Sequence, residues 1–104
     1  MDAETLFWAR VDKSKGVDGC WLFQGKPQNN GYYIYTYRLG KITISESVHR
    51  FAYMRSKGIE FLPRSIEVDH CCPGIPNRQC CNPKHLQLVT KQENIRLRDT
   101  RRKL

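Results

Sequence analysis

The stretch of sequence that decides the fold is VDHCCPGIPNRQCCNPKHLQLVTKQEN, which runs from Val68 to Asn94. Its pattern predicts a short strand that ends in an Asp-His pair, then an irregular loop, a second strand and a helix. The loop, residues 71–83, contains three prolines and a glycine, so it has little capacity for regular structure. Thr90 and Glu93 have the spacing of a capping box, which predicts that the helix begins directly after Thr90.

Four of the five cysteines lie between residues 71 and 81, close to His70 and His85. Disulfides are rare in a reducing cytosol, and five is an odd number, so metal binding explains these cysteines better. A bound zinc ion would also stabilise the irregular loop, since structural zinc sites contribute folding free energy. The alternative interpretation is that the cysteines are small buried apolar side chains.

Asp69, His70 and Asn94 have the side chains that phosphodiester hydrolysis needs. A carboxylate and an amide oxygen suit a hard divalent cation such as Mg²⁺, which stabilises charge on the phosphate and on the leaving oxygen. A neutral imidazole can accept a proton from water near pH 7. The alternatives are a hydrogen-bonded structural histidine for His70 and an ordinary solvated helix residue for Asn94.

This stretch resembles the ββα-metal nucleases, also called the HNH superfamily, and especially the His-Cys box homing endonucleases and the zinc-containing phage HNH nucleases. The residues that carry the resemblance are His70-x-Cys72, Cys80-x-Asn82-Pro83-x-His85-Leu86, Asn94 nine residues after His85, and Cys20-Trp21 upstream. The resemblance implies a small α+β fold, with a ββα-metal core, a β-hairpin and additional helices.

The resemblance also implies the role of each site residue. His70 is the expected general base, Asn94 a ligand of the catalytic cation, and Asp69 a second ligand, as in the HNH branch. The expected ligands of the structural zinc ion are Cys20, Cys72, Cys80 and His85. The residues alone leave open which cysteine binds in each of the pairs Cys71/Cys72 and Cys80/Cys81.

The rest of the chain predicts elements that would surround this core in one domain, residues 1–104. A helix is expected from about Ala3 to Asp12, and a second from Ser45 or Ser47 to about Lys57, where Gly58 ends it. Strands are expected at residues 20–23, 32–38, 42–44, 66–69 and 86–89. The divisions are residues 1–64 for the N-terminal elements, 65–100 for the catalytic motif and 101–104 for a basic tail.

The formal net charge of +8 predicts a polyanionic partner, either a nucleic acid or an anionic membrane, and the resemblance implies DNA. The hairpin predicted around residues 32–44 either enters a DNA groove or packs on the core. Arg50 is a candidate cation for stabilising transition-state charge. The candidate DNA contacts are Tyr35, Arg38, Lys41, Arg96, Arg98, Arg101 and Arg102.

The sequence thus predicts a DNA endonuclease with a structural zinc ion and a catalytic Mg²⁺ or other divalent cation. It has no apolar run long enough to cross a membrane and no secretory signal, so we expect an intracellular protein, in the cytoplasm of a bacterial or phage-infected cell. The alternatives are a zinc-stapled DNA-binding module without catalysis and a zinc-stabilised protein-interaction module, which leaves the charge unexplained. The sequence leaves open the target site, whether the enzyme nicks or cuts both strands, and whether it is a monomer or a homodimer.

Overall fold

A computed structural model describes residues 2–73 and 77–103, and the side chains of residues 2–73 and 77–97. The elements, in chain order, are α1 (Ala3–Ala9), β1 (Val11–Asp12), β2 (Leu22–Phe23), β3 (Ile34–Leu39), β4 (Ile42–Ser47), α2 (Val48–Lys57), β5 (Ile66–His70), a 3₁₀ turn (Pro83–His85), β6 (Leu86–Thr90) and α3 (Lys91–Lys103). No helix in the described part of the chain has the length and apolar composition that crossing a bilayer requires.

Within the described residues, the strands form three antiparallel pairs, β1 with β2, β3 with β4, and β5 with β6. The last pair sets Asp69 opposite Gln87 and His70 opposite Leu86. Helix α3 follows β6 directly, because Thr90 and Glu93 cap each other's backbone N–H groups at 3.1 Å. The predicted small α+β fold with its strand–loop–strand–helix motif is confirmed.

The core is aromatic and joins the N-terminal elements to the ββα motif. The Phe7 ring of α1 lies 4.6 Å from Phe51 of α2, 5.1 Å from Tyr35 of β3 and 5.4 Å from Phe23 of β2. Buried aromatic rings of this size dominate the stability of a small core. Val68 belongs to the same buried cluster, so the core fixes the strand that ends in Asp69 and His70.

Tyr35 is a core residue, which corrects its prediction as a DNA contact. Its side chain is 5% exposed, and its hydroxyl donates a 2.8 Å hydrogen bond to the carbonyl oxygen of Ala3. The hydroxyl thereby satisfies a polar atom that burial would otherwise leave unpaired.

The end of α1 differs from the prediction, whereas the bounds of α2 agree with it. Helix α1 ends at Ala9 rather than Asp12, because Val11 pairs with Phe23 in β1–β2. Ser47 precedes α2, but its side chain makes no capping hydrogen bond. Gly58 ends α2 in the left-handed conformation, with φ of 68°, as predicted.

Candidate functional site

Four side chains from distant parts of the sequence form one cluster of metal-binding atoms. The ligand atoms all lie within 4.8 Å of one another and belong to Cys20, Cys72, Cys80 and His85. His85 Nδ1 lies 3.6 Å from Cys20 Sγ and 3.5 Å from Cys80 Sγ. Tetrahedral zinc, with bonds of ~2.3 Å to sulfur and ~2.05 Å to nitrogen, would set such atoms about 3.6 Å apart. The cluster therefore has the composition and spacing to hold a metal such as zinc.

The backbone around the cluster also orients its ligands. His85 Nε2 lies 2.8 Å from the carbonyl oxygen of Asp18, which can only accept a hydrogen bond, so Nε2 carries the proton and Nδ1 the lone pair. The buried Asn82 amide donates to the carbonyls of Val17 and Gly19, which holds the segment before Cys20. The orientation of the His85 ring therefore depends on Asp18, which lies 67 residues earlier in the chain.

The two neighbouring cysteines lie outside the cluster. Cys71 is exposed, whereas Cys81 is buried in the core, where its thiol donates to the carbonyl of Trp21 at 3.4 Å. Burial raises the pKa of the Cys81 thiol to about 12, and burial also raises the pKa values of the Cys72 and Cys80 thiols. A bound cation reverses this effect for its own ligands, because it stabilises the thiolate.

An open cleft of about 380 Å³ lies at the end of β5. It brings together the four predicted catalytic residues, Arg50, Asp69, His70 and Asn94. The other residues that line it are Gln28, Asn30, Tyr32, Ile34, Ser47, His49, Glu67 and Val68.

His70 is 6% exposed, and its Nε2 atom lies 3.0 Å from the carbonyl oxygen of Cys80. Because a carbonyl oxygen only accepts, Nε2 carries a proton, so the lone pair of the neutral form of this ring lies on Nδ1. This tautomer allows Nδ1 to act as a general base.

Hydrogen bonds also orient the two predicted ligands of the catalytic cation. The Gln87 amide donates to Asp69 Oδ2 at 3.0 Å, which fixes the rotation of the carboxylate. The Asn94 Nδ2 atom donates to Glu67 Oε2, so the amide oxygen of Asn94 points away from that carboxylate. Both oxygens are hard ligands of the kind that Mg²⁺ binds.

Two cleft residues were not among the sequence predictions. Glu67 could have been found, because it lies two residues before Asp69 and therefore on the same face of the strand. His49 had no such signal, since only packing brings its ring within 4.4 Å of the His70 ring. Burial, reinforced by His70 and Arg50, lowers the pKa of His49 to about 3. Among the described side chains, its Nδ1 is the buried polar atom that has no hydrogen-bond partner.

Arg50 uses its guanidinium to hold backbone. It donates to the carbonyl oxygens of Leu62 at 2.6 Å, Ile66 at 3.1 Å and Pro63 at 3.5 Å, so it fastens the segment that leads into β5. These contacts give Arg50 a structural role beside the cleft, and its role as a cation that stabilises transition-state charge stays a prediction.

The predicted DNA-binding cations are described in part. Arg38, Lys41 and Arg96 are exposed. The side chains of Arg98, Arg101 and Arg102 lie outside the described residues, although their backbone belongs to α3.

The fold and the cleft agree with the comparisons with known proteins. The family model for HNH endonucleases matches residues 46–96, which include β5, β6, the start of α3 and the cleft residues of α2. The chain belongs to the HNH endonuclease family.

The relatives are phage proteins. The chain is 34% identical over 77 residues to Protein 2.8 of Escherichia phage T7, a match that covers 73% of this chain but only 46% of that protein. It is 34% identical over 83 residues to the uncharacterized gene 5.3 protein of Enterobacteria phage T3, covering 76% of this chain and 75% of that protein. No solved structure matches.

Proposed function

We propose that the chain is a metal-dependent DNA endonuclease in which His70 is the general base. The observation that carries the proposal is the hydrogen bond between His70 Nε2 and the Cys80 carbonyl, beside Asp69 and Asn94 in the same cleft. The Cys80 backbone carbonyl holds the base, so the ring needs little reorganisation when a phosphodiester binds.

In this mechanism, His70 Nδ1 takes a proton from a water molecule, whose oxygen attacks the phosphorus as the 3′ oxygen leaves. Asp69 and Asn94 would hold one cation of the Mg²⁺ class, which supplies charge stabilisation at the phosphate and the leaving oxygen when bound. Glu67 orients the Asn94 amide, and Gln87 orients the Asp69 carboxylate. These outer contacts keep both ligand oxygens in place.

The zinc ion would be structural in this scheme. Cys20, Cys72, Cys80 and His85 supply all four positions of a tetrahedral site, which leaves none open for a substrate. Its function is to fix the loop whose carbonyl orients His70. In the same proposal the protein acts on DNA inside a phage-infected bacterial cell, in keeping with its phage relatives.

The experiment is cleavage of supercoiled plasmid by purified, zinc-loaded protein, with Mg²⁺ and with EDTA, beside His70→Ala. We expect nicked or linear DNA in Mg²⁺ and neither product in EDTA. The cleavage rate of His70→Ala should be lower by at least ~100-fold. Zinc content and circular dichroism must match between the two proteins, so that a folding defect is not read as lost catalysis. Equal cleavage by His70→Ala would refute the assignment.

A shifted plasmid with no cleavage under any divalent cation would instead support the zinc-stapled DNA-binding module. If the protein neither shifts nor cleaves the plasmid, the protein-interaction module becomes the better interpretation.

A further inference from the structure

The β3–β4 hairpin has two chemically different faces. Side chains alternate between the faces of a strand, and residues opposite each other in register share a face. The inner face contains the pairs Tyr35–Glu46, Tyr37–Ile44 and Leu39–Ile42. The outer face contains the pairs Ile34–Ser47, Thr36–Ser45 and Arg38–Thr43.

Packing accounts for the tyrosines of the inner face, whereas its last pair, Leu39 and Ile42, is exposed. Tyr35 and Tyr37 contact the Phe51 ring at 5.1 and 5.4 Å between centroids. The Tyr37 hydroxyl also bonds Glu46, the acidic residue of the hairpin. On the outer face, the second and third pairs are exposed at all four positions. The outer face is therefore available to a partner.

The outer face begins inside the cleft. Ile34 and Ser47, its first pair, line the cleft together with Asp69 and His70. From this pair the strands run outwards, and at ~3.4 Å per residue Arg38 lies roughly 14 Å further along. The same distance corresponds to about four base-pair steps of duplex DNA.

The side chains along this face suit phosphate oxygens. Thr36 Oγ1 and Ser45 Oγ lie 2.9 Å apart, and whichever hydroxyl donates to the other, the acceptor keeps its own hydrogen for a further bond. Arg38 adds a guanidinium, and none of the six outer-face residues is acidic. Hydroxyls and arginines are common contacts of the DNA backbone.

We propose that this outer face binds the sugar-phosphate backbone of the DNA strand that leaves the cleft, with Arg38 contacting a phosphate about four nucleotides from the cut. The proposal rests on the proposed nuclease function, because the direction of the strand is set by the scissile phosphate. It accounts for the exposed polar face, which a purely structural hairpin does not need.

The test compares Arg38→Gln with Lys15→Gln, which removes the same charge from an exposed position in the loop between β1 and β2. The substrate is a short duplex that contains a cut site mapped with the wild-type protein. We expect Arg38→Gln to raise KM about tenfold with kcat within twofold, as loss of one charged hydrogen bond implies. Lys15→Gln should change KM less than twofold.

Duplexes shortened to two base pairs on one side of the cut locate the contact. Shortening on the hairpin side should raise the wild-type KM and abolish the difference between wild type and Arg38→Gln. Shortening on the other side should leave that difference intact. Equal KM values for Arg38→Gln and Lys15→Gln, or a difference that survives both truncations, would overturn the proposal.

Binding separates this inference from the nuclease proposal. If the wild type does not cleave, duplex affinity measured across a KCl series still tests Arg38. The slope of log K against log salt should fall by about 0.9 in Arg38→Gln and remain unchanged in Lys15→Gln. Identical slopes would overturn the inference whatever the outcome for cleavage.

Discussion

The Nε2 atom of His70 lies 3.0 Å from the carbonyl oxygen of Cys80, whose thiol belongs to the Cys₃His cluster. The proposed base and the candidate zinc site thus share one residue, which contributes its side chain to the cluster and its backbone to His70. Disordering the cysteine loop should therefore remove both the fold of the motif and the orientation of the base.

The adjacent cysteines Cys71 and Cys72 offer a matched pair for testing the cluster. We expect Cys72→Ser to lose stoichiometric zinc and to lower Tm by roughly 10–20 °C, because a structural zinc site contributes several kcal/mol. Cys71→Ser should keep one zinc per chain and the wild-type Tm, since Cys71 is exposed and outside the cluster. Metal analysis and thermal unfolding measure both. Zinc retention by Cys72→Ser would contradict the ligand assignment.

Glu67 should affect cation binding through Asn94. Glu67→Leu removes the acceptor of the Asn94 amide, so we expect the Mg²⁺ concentration for half-maximal cleavage to rise about 10–100-fold. Glu67→Gln keeps an acceptor oxygen and should recover most of this loss. The control is Glu60→Gln in the exposed linker. If Glu67→Leu and Glu60→Gln need the same Mg²⁺ concentration for half-maximal cleavage, Glu67 does not position Asn94.

Arg50→Lys distinguishes a structural from a catalytic role. Lysine cannot reproduce the fork that bonds the Leu62 and Ile66 carbonyls, so we expect the free energy of unfolding to fall by about 2 kcal/mol. Arg64→Lys, in the exposed linker before β5, should cost much less. Urea unfolding gives the values. A large fall in kcat at unchanged stability would instead support the transition-state role.

His49 should make stability depend on pH. Its pKa in the folded protein is about 3, below the ordinary value of 6.5, so the unfolded chain binds the proton more readily. The contribution of neutral His49 to the free energy of unfolding is complete above pH 6.5. It is lost as the pH falls towards 3, at up to ~1.4 kcal/mol per pH unit. We therefore expect the free energy of urea unfolding, measured between pH 4.5 and 6.5, to change less steeply with pH in His49→Gln than in the wild type. Because zinc ligands also protonate in acid, only the difference between the two proteins counts.

Tyr35→Phe tests whether the core or DNA uses this tyrosine. The variant loses the hydrogen bond to the Ala3 carbonyl, which should cost about 1 kcal/mol of stability. Duplex affinity should not change, in contrast to Arg38→Gln. Weaker DNA binding by a fully folded Tyr35→Phe protein would reinstate the contact that the sequence suggested.

The sequence by itself determined the elements whose signals are local. Thr90 and Glu93 are three residues apart, and each satisfies the other's backbone N–H, so the start of α3 could be predicted from the residues alone. Gly58 ended α2 because a left-handed residue without a Cβ costs little there. The cysteine-rich loop between two short strands was likewise visible from composition.

Only the tertiary structure decided which side chains share the cleft. His49 meets His70, and Glu67 meets Asn94, across 21 and 27 residues of sequence, and no local rule sets such contacts. Packing also chose between the two environments that the hairpin pattern allowed, since Tyr35 faces Phe7 while Arg38 faces outwards. Backbone preferences act over a few residues, whereas contacts between distant segments follow from how the buried aromatic core brings the elements together.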